Sequence, residues 1–182
     1  MLIQTIINRI TAAITTGVDI KGWLIIAGIL LIYAAISIPI GLKTRCLTIT
    51  PLPKGWAKKI LSMIRVLIIP VIPEELLFRV ILLPHPFTEK IPEMQWMMIA
   101  IIFLAIFIFY HPILALTVFP PGYPTFLDPI FLAYAGLLGL ACTVAYRVTG
   151  SFWGIAFIHW LIDWLWIYCL GGRTKLAKYD LL

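Results

Sequence analysis

A polytopic all-α membrane bundle is the fold class this sequence predicts, and three observations predict it. The chain of 182 residues is 62% hydrophobic and only 12% charged, against roughly 45–50% and about 25% in soluble domains. Its apolar residues gather into continuous runs, several of them about 20 residues long and so able to cross a hydrocarbon layer ~30 Å thick. Prolines and basic residues stand mainly at the ends of those runs, where they turn the chain and orient it. The expectation is about five transmembrane helices plus an N-terminal amphipathic helix, with the lipid bilayer as first partner. A net charge of +6 could suit nucleic acid, but the lysines and arginines abut apolar runs. They read as membrane-orienting charges, and no nucleic-acid partner is expected.

Taken in order, residues 1–20 set Leu2, Ile3, Ile6, Ile7, Ile10 and Ile14 on one helical face and Gln4, Asn8, Arg9, Thr11 and Thr15 on the other. That pattern suits a helix lying in the membrane interface. Residues 24–42 form the first span, flanked by Lys21 and Trp23 and by Lys43 and Arg45. The linker over 43–59 carries five basic residues and no acid, which makes it cytoplasmic by the positive-inside rule. Residues 57–65 alternate Ile60, Leu61 and Ile64 with Lys58, Lys59 and Arg65, a surface helix. A second span covers 66–83; Pro70 and Pro73 break it, and Pro73 suits the first turn of a restarted helix. Pro84-His85-Pro86 closes it, with His85 read as a surface residue. The third span, 95–119, contains Pro112 and ends at the breaker Pro120–Pro124. The fourth, 127–146, is rich in small residues (Ala133, Ala135, Gly136, Gly139, Ala141) that let helices approach closely. The fifth, 152–170, ends at Gly171 and Gly172, and Lys175 and Lys178 follow. Five spans put this basic tail on the side of the basic linker, so the C-terminus is also expected in the cytoplasm. Cys46, Cys142 and Cys169 lie far apart without a C-x-x-C spacing and read as small packing residues.

Six polar residues inside these runs carry the functional signal. A carboxylate at mid-bilayer costs at least ~2.5–3.5 kcal/mol on insertion scales, so Glu74, Glu75 and Arg79 in one apolar segment need a reason. Glu75 and Arg79 are i,i+4 with the acid first, the spacing of a stabilising ion pair. Glu74, rotated about 100° away, has no partner in its own segment. Further on stand Phe107-x-x-x-His111 and His159-x-x-x-Asp163, each pair on one helix face. Counted from the cytoplasmic boundary, Glu74, His111 and Asp163 all lie ~10–12 Å deep at 1.5 Å per residue. Three segments thus deliver Glu74, His111, His159 and Asp163 to one layer, as expected of a reactive site. A zinc set of His111, His159 and a carboxylate is one alternative, though no H-E-x-x-H motif is present. Proton-coupled transport is another, and a non-catalytic immunity or assembly factor held together by the same cluster is a third.

The three motifs, E-E-x-x-x-R at Glu74 to Arg79, F-x-x-x-H at Phe107 to His111 and H-x-x-x-D at His159 to Asp163, resemble in order and spacing those of the CPBP family. These are the CAAX protease and bacteriocin-processing (Abi) proteins, glutamic intramembrane proteases related to type II CAAX prenyl endopeptidases. The resemblance covers about residues 60–170 and implies a membrane-embedded protease domain within 21–182. It implies Glu74 as general base, His111 positioning water, and His159 with Asp163 forming the oxyanion pocket, supported by Glu75, Arg79 and Phe107. No metal or other cofactor is implied. The implied substrate is a peptide or protein cut near the cytoplasmic membrane face; a prenylated C-terminus, a leader peptide and a membrane-protein tail all suit a pocket between apolar helices. Val80 stands where the family usually has glycine, and Asp163 where it has Asn or Asp.

Overall fold

A computed structural model of the protein describes residues 2–176, and Lys178 of the expected basic tail lies outside them. Among the described residues the chain is helical and forms no strand. Helix α1 spans Leu2–Thr15. Helix α2, Ile20–Lys43, starts where Asp19 accepts a hydrogen bond of 2.7 Å from the Gly22 amide, and Lys43 complements its C-terminal dipole. Helices α5 (Glu93–Leu116), α6 (Pro129–Thr149) and α7 (Phe152–Cys169) follow the amphipathic α3 (Trp56–Val66) and the short α4 (Ile72–Glu75). Pro129 at the first turn of α6 and Asp128 accepting from the Ile130 amide at 2.8 Å set its start, and Gly150 in the left-handed region (φ 62°) ends it. The last turn, α8, is Gly172–Lys175.

Four of these helices, α2, α5, α6 and α7, are long and apolar enough to cross a membrane. The fifth expected span, 66–83, is not one α-helix. It is built from a wide π-helical turn (Leu67–Val71), α4 and a second π-helical turn (Leu76–Ile81), with Ile69 extended at φ −142°, ψ 109°. Two prolines explain this: Pro70 forbids Ile69 the helical region, and both prolines lack the amide that an α-helical ladder needs. Pro73 then lies in the first turn of α4, as its spacing predicts.

This broken segment packs against α1, α3, α5, α6 and α7. The α5–α6 and α6–α7 contacts form the body of the bundle, and α2 lies against α6 and α7. The small-residue stripe of α6 makes the approach possible. A side chain at Gly139 would meet Leu104, Arg79 and Phe107 at 2.6–3.0 Å. Two tryptophans of α7 hold α3 in place: Trp160 donates to the Met63 carbonyl and Trp164 to the Ser62 hydroxyl, both at 2.9 Å. Trp56, Ile60, Leu61 and Ile64 of α3 remain exposed.

Helix α1 turns out to have a third, docked face. Leu2, Ile3, Ile7 and Ile14 point outward as expected, but Ala13 is fully buried. Arg9, assigned to the polar face, makes a bidentate pair with Glu89 (2.7 Å twice) and donates to the Ile81 carbonyl at 2.7 Å. His85 also departs from expectation. It is 1% exposed, its Nε2 donates to the Gly150 carbonyl at 3.1 Å, and its Nδ1 accepts from the Phe87 amide at 3.3 Å. Its burial comes from the α6–α7 turn, which lies 65 residues away in sequence. The cysteines are free; Cys46 and Cys142 are buried, Cys169 partly so.

Candidate active site

The segment 67–81 places two adjacent carboxylates on different faces of a single turn. Glu75 is fully buried and turns inward, where its Oε1 accepts from Arg79 Nη1 at 3.1 Å and lies 2.6 Å from His159 Nδ1. The expected i,i+4 pair is therefore formed, and it reaches a third residue on α7. Arg79, 2% exposed, lies with Cζ 4.2 Å from the centroid of the Phe107 ring. A guanidinium that cannot reach water is thus compensated by a carboxylate on one side and an aromatic face on the other. Val80 is fully buried in the apolar core, filling the space that a glycine would leave open.

Glu74 points the other way, into a cavity of about 770 Å³ that it lines together with His111, His159 and Asp163. All four residues chosen from the sequence therefore meet at one space. The Glu74 carboxylate is 7% exposed, and its Oε2 has no hydrogen-bond partner among the described residues. His159 stands close by, its Nε2 3.8 Å from that oxygen and 3.2 Å from Asp163 Oδ2.

His111 is fixed differently. Its Nδ1 lies 2.9 Å from the Phe107 carbonyl, one turn earlier on α5. A carbonyl only accepts, so Nδ1 carries the proton and the neutral ring keeps its lone pair on Nε2. Around the ring stand Phe107, Phe126, Phe131 and Tyr110, each edge-on with centroids 5.0–5.7 Å away. Phe107 therefore touches both halves of the site, the buried ion pair through its face and His111 through its backbone.

Elsewhere the cavity wall is mainly apolar, with Leu30, Leu31 and Ile38 of α2 facing Leu114, Phe126 and Phe131. Sequence reasoning passed over its phenols, Tyr33, Tyr110 and Tyr134. A tyrosine inside an apolar run gives no polar signal, since the residue belongs there as an aromatic body. Cys142 was expected only to pack, yet its thiol stands with Glu75 and His159 so that their donor atoms lie within 4.8 Å of one another. It differs from the zinc set weighed as an alternative, because His111 is absent from it. The Arg79 guanidinium beside Glu75 already supplies the positive charge with which a metal ion would have to compete.

With this arrangement in view, comparison with known families is informative. Residues 56–165 match the family described as type II CAAX prenyl endopeptidase Rce1-like. The chain belongs to this Rce1-like family. Searches of curated proteins and of solved structures returned no match. The matched span runs from the start of α3 to just past Asp163 and contains all three motifs. Rce1-like proteins are a protease family, and with its four apolar helices this member is an integral membrane protein.

Proposed function

We propose that the protein is a glutamic-type intramembrane endopeptidase that cuts a peptide bond near the cytoplasmic face, with Glu74 as the general base. One observation carries the reading: the buried Glu74 lines a large, mostly apolar cavity together with His111, His159 and Asp163. A histidine with a free lone pair stands on the same wall.

In this reading a water molecule binds between Glu74 and His111 Nε2, which accepts one of its hydrogens and aims its oxygen. Glu74 removes the other proton as the oxygen attacks the carbonyl carbon, and the C=O π pair moves onto the carbonyl oxygen. The tetrahedral adduct collapses when the C–N bond breaks; Glu74 returns its proton to the nitrogen, leaving an amine and a carboxylic acid. His159, fixed by Asp163, serves the oxyanion pocket for the carbonyl oxygen. Glu75, Arg79 and Phe107 hold these groups at fixed depth.

The substrate is a peptide or protein whose apolar part occupies the cavity; a prenylated C-terminus and a leader peptide both suit. The reading also takes the 43–59 linker and the C-terminus as cytoplasmic, 21–182 as the protease domain, and α1 as an interfacial helix. The test compares peptide termini of the membrane proteome in cells carrying the wild type and Glu74→Gln at matched abundance. Termini unique to the wild type are expected and would name the substrate; identical sets would reject proteolysis and favour a non-catalytic assembly or immunity role.

A further inference from the structure

Helix α3 meets its surroundings on two different terms. Its inner edge is fixed: Ser62 and Val66 are buried, and the Trp164 and Trp160 indoles of α7 donate to the Ser62 hydroxyl and the Met63 carbonyl at 2.9 Å. Its outer side is open. At about 100° per residue, Trp56, Ile60 and Ile64 form one row there, with Leu61 beside it. All four are exposed, Trp56 at 79%. Lys58 comes next round the helix, exposed as well, and so is Lys54 just before α3. Lys59 stands over the Trp56 ring, its Nζ 4.9 Å from the centroid.

The 11 residues of α3 span ~16 Å, too little to cross a ~30 Å hydrocarbon layer. An outer side that sets an apolar row beside ammonium groups matches the boundary where acyl chains give way to headgroups. A tryptophan at the first turn belongs at that boundary, and lysine stems can lie along apolar surface while their charges reach outward. The charge has no counterpart close in sequence: Lys43, Arg45, Lys54, Lys58, Lys59 and Arg65 fall within residues 43–66, a stretch without Asp or Glu. A second copy of the chain docked through the same face would set lysines against lysines, with no acid from α3 or its linker between them. The occupant that fits this face is apolar in one part and anionic in the other.

We propose that the outer side of α3 is a binding surface for anionic phospholipid. Trp56, Ile60, Leu61 and Ile64 lie among the upper acyl chains, and Lys54, Lys58 and Lys59 stand against the headgroup phosphates. The two indole bonds from α7 hold this surface in one direction, so it selects lipid by charge at a defined place on the bundle. It does so whether or not the chain cuts peptides.

The experiment uses the intact protein in nanodiscs of phosphatidylcholine and phosphatidylglycerol, with bromine on the acyl chains of one lipid or the other at the same mole fraction. Bromine quenches the tryptophans it touches, and the difference between wild type and Trp56→Phe gives the share due to Trp56. Brominated phosphatidylglycerol should quench that share about fivefold more than brominated phosphatidylcholine, the size of one lysine acting on an anionic surface. Raised salt should narrow the difference. Replacing Lys54, Lys58 and Lys59 together by Gln should bring the two lipids close to equal, and replacing them by Arg should keep the preference, with unfolding midpoints near wild type in both. Equal quenching by the two lipids in the wild type, or a preference undiminished in the Gln variant, would overturn the proposal. So would a Trp56 share that neither lipid quenches while Trp56→Cys cross-links to a second copy, since the face would then be a dimer interface.

Discussion

Glu74 and Glu75 are neighbours in the chain and belong to two regions built on opposite principles. Around Glu75 the polar groups turn toward one another: Arg79 at 3.1 Å, His159 at 2.6 Å, and the Phe107 face over the guanidinium, with Glu75 Oε2 and Arg79 Nη2 left without a hydrogen bond among the described residues. No part of that cluster is more than 2% exposed at Glu75, Arg79 or His159. Around Glu74 the side chains of His111, His159 and Asp163 border a cavity. On the proposed reading, the contrast teaches that an intramembrane charge can serve either structure or chemistry, and that one step of about 100° around a helical turn is enough to separate the two.

The sharpest way to break the comparison is to make the same substitution at both carboxylates. Glu74→Gln should reduce turnover by ~10²–10⁴-fold, the range for a general base, while its unfolding free energy in mixed micelles stays within ~0.5 kcal/mol of wild type. Glu75→Gln should do the reverse in kind. It leaves Arg79 as a buried charge without its counter-ion, at a cost of about 3–5 kcal/mol, and any activity lost should track the fraction unfolded. Equal stability losses at the two positions would dissolve the distinction. A smaller effect probes the packing between the regions. Gly139→Ala puts a methyl against Leu104, Arg79 and Phe107, and overpacking of this kind costs about 1–3 kcal/mol. Denaturant titration of the purified protein in micelles would measure it, and an unchanged midpoint would mean that α5 and α6 are less tightly opposed than described.

Much of this was legible before any coordinates, and the reasons are physical. Apolar runs declare spans because the bilayer is an unforgiving solvent, and a carboxylate within one is conspicuous for the same reason. The Glu75–Arg79 pair follows from helical spacing alone, and the break at Pro70 and Pro73 follows from two missing amides. What stayed hidden depends on contacts between distant segments. Hydropathy cannot record that Ile69 is extended, so a segment of π-helical turns reads as one more span. Nothing near His85 announces that Gly150 will cover it, or that Arg9 of α1 will reach Glu89 across 80 residues of sequence. Tyr33 looks like any aromatic in a membrane helix until the cavity is drawn.

The smallest expected effect lies at the far end of the bundle, away from both carboxylate regions, where His85 and Glu89 close the loop after the broken segment. Burial holds the His85 ring below its ordinary value, opposed by its hydrogen bond to Gly150 and by Glu89. Burial alone would raise Glu89, but its bonds from Arg9 and from the His85 amide outweigh that and hold it below the usual carboxylate range. Both groups therefore bind protons more weakly folded than unfolded, so each contributes stability that is complete above its unfolded value and lost as pH falls through its folded one. The unfolded values are about 6.5 for histidine and about 4.3 for glutamate, so two windows result, the His85 window opening at the higher pH. Unfolding midpoints in micelles should therefore decline in two steps on acidification. His85→Gln should remove the upper step and Glu89→Gln the lower. If neither variant alters the profile, the far-side contacts among α1, the loop and Gly150 contribute packing alone.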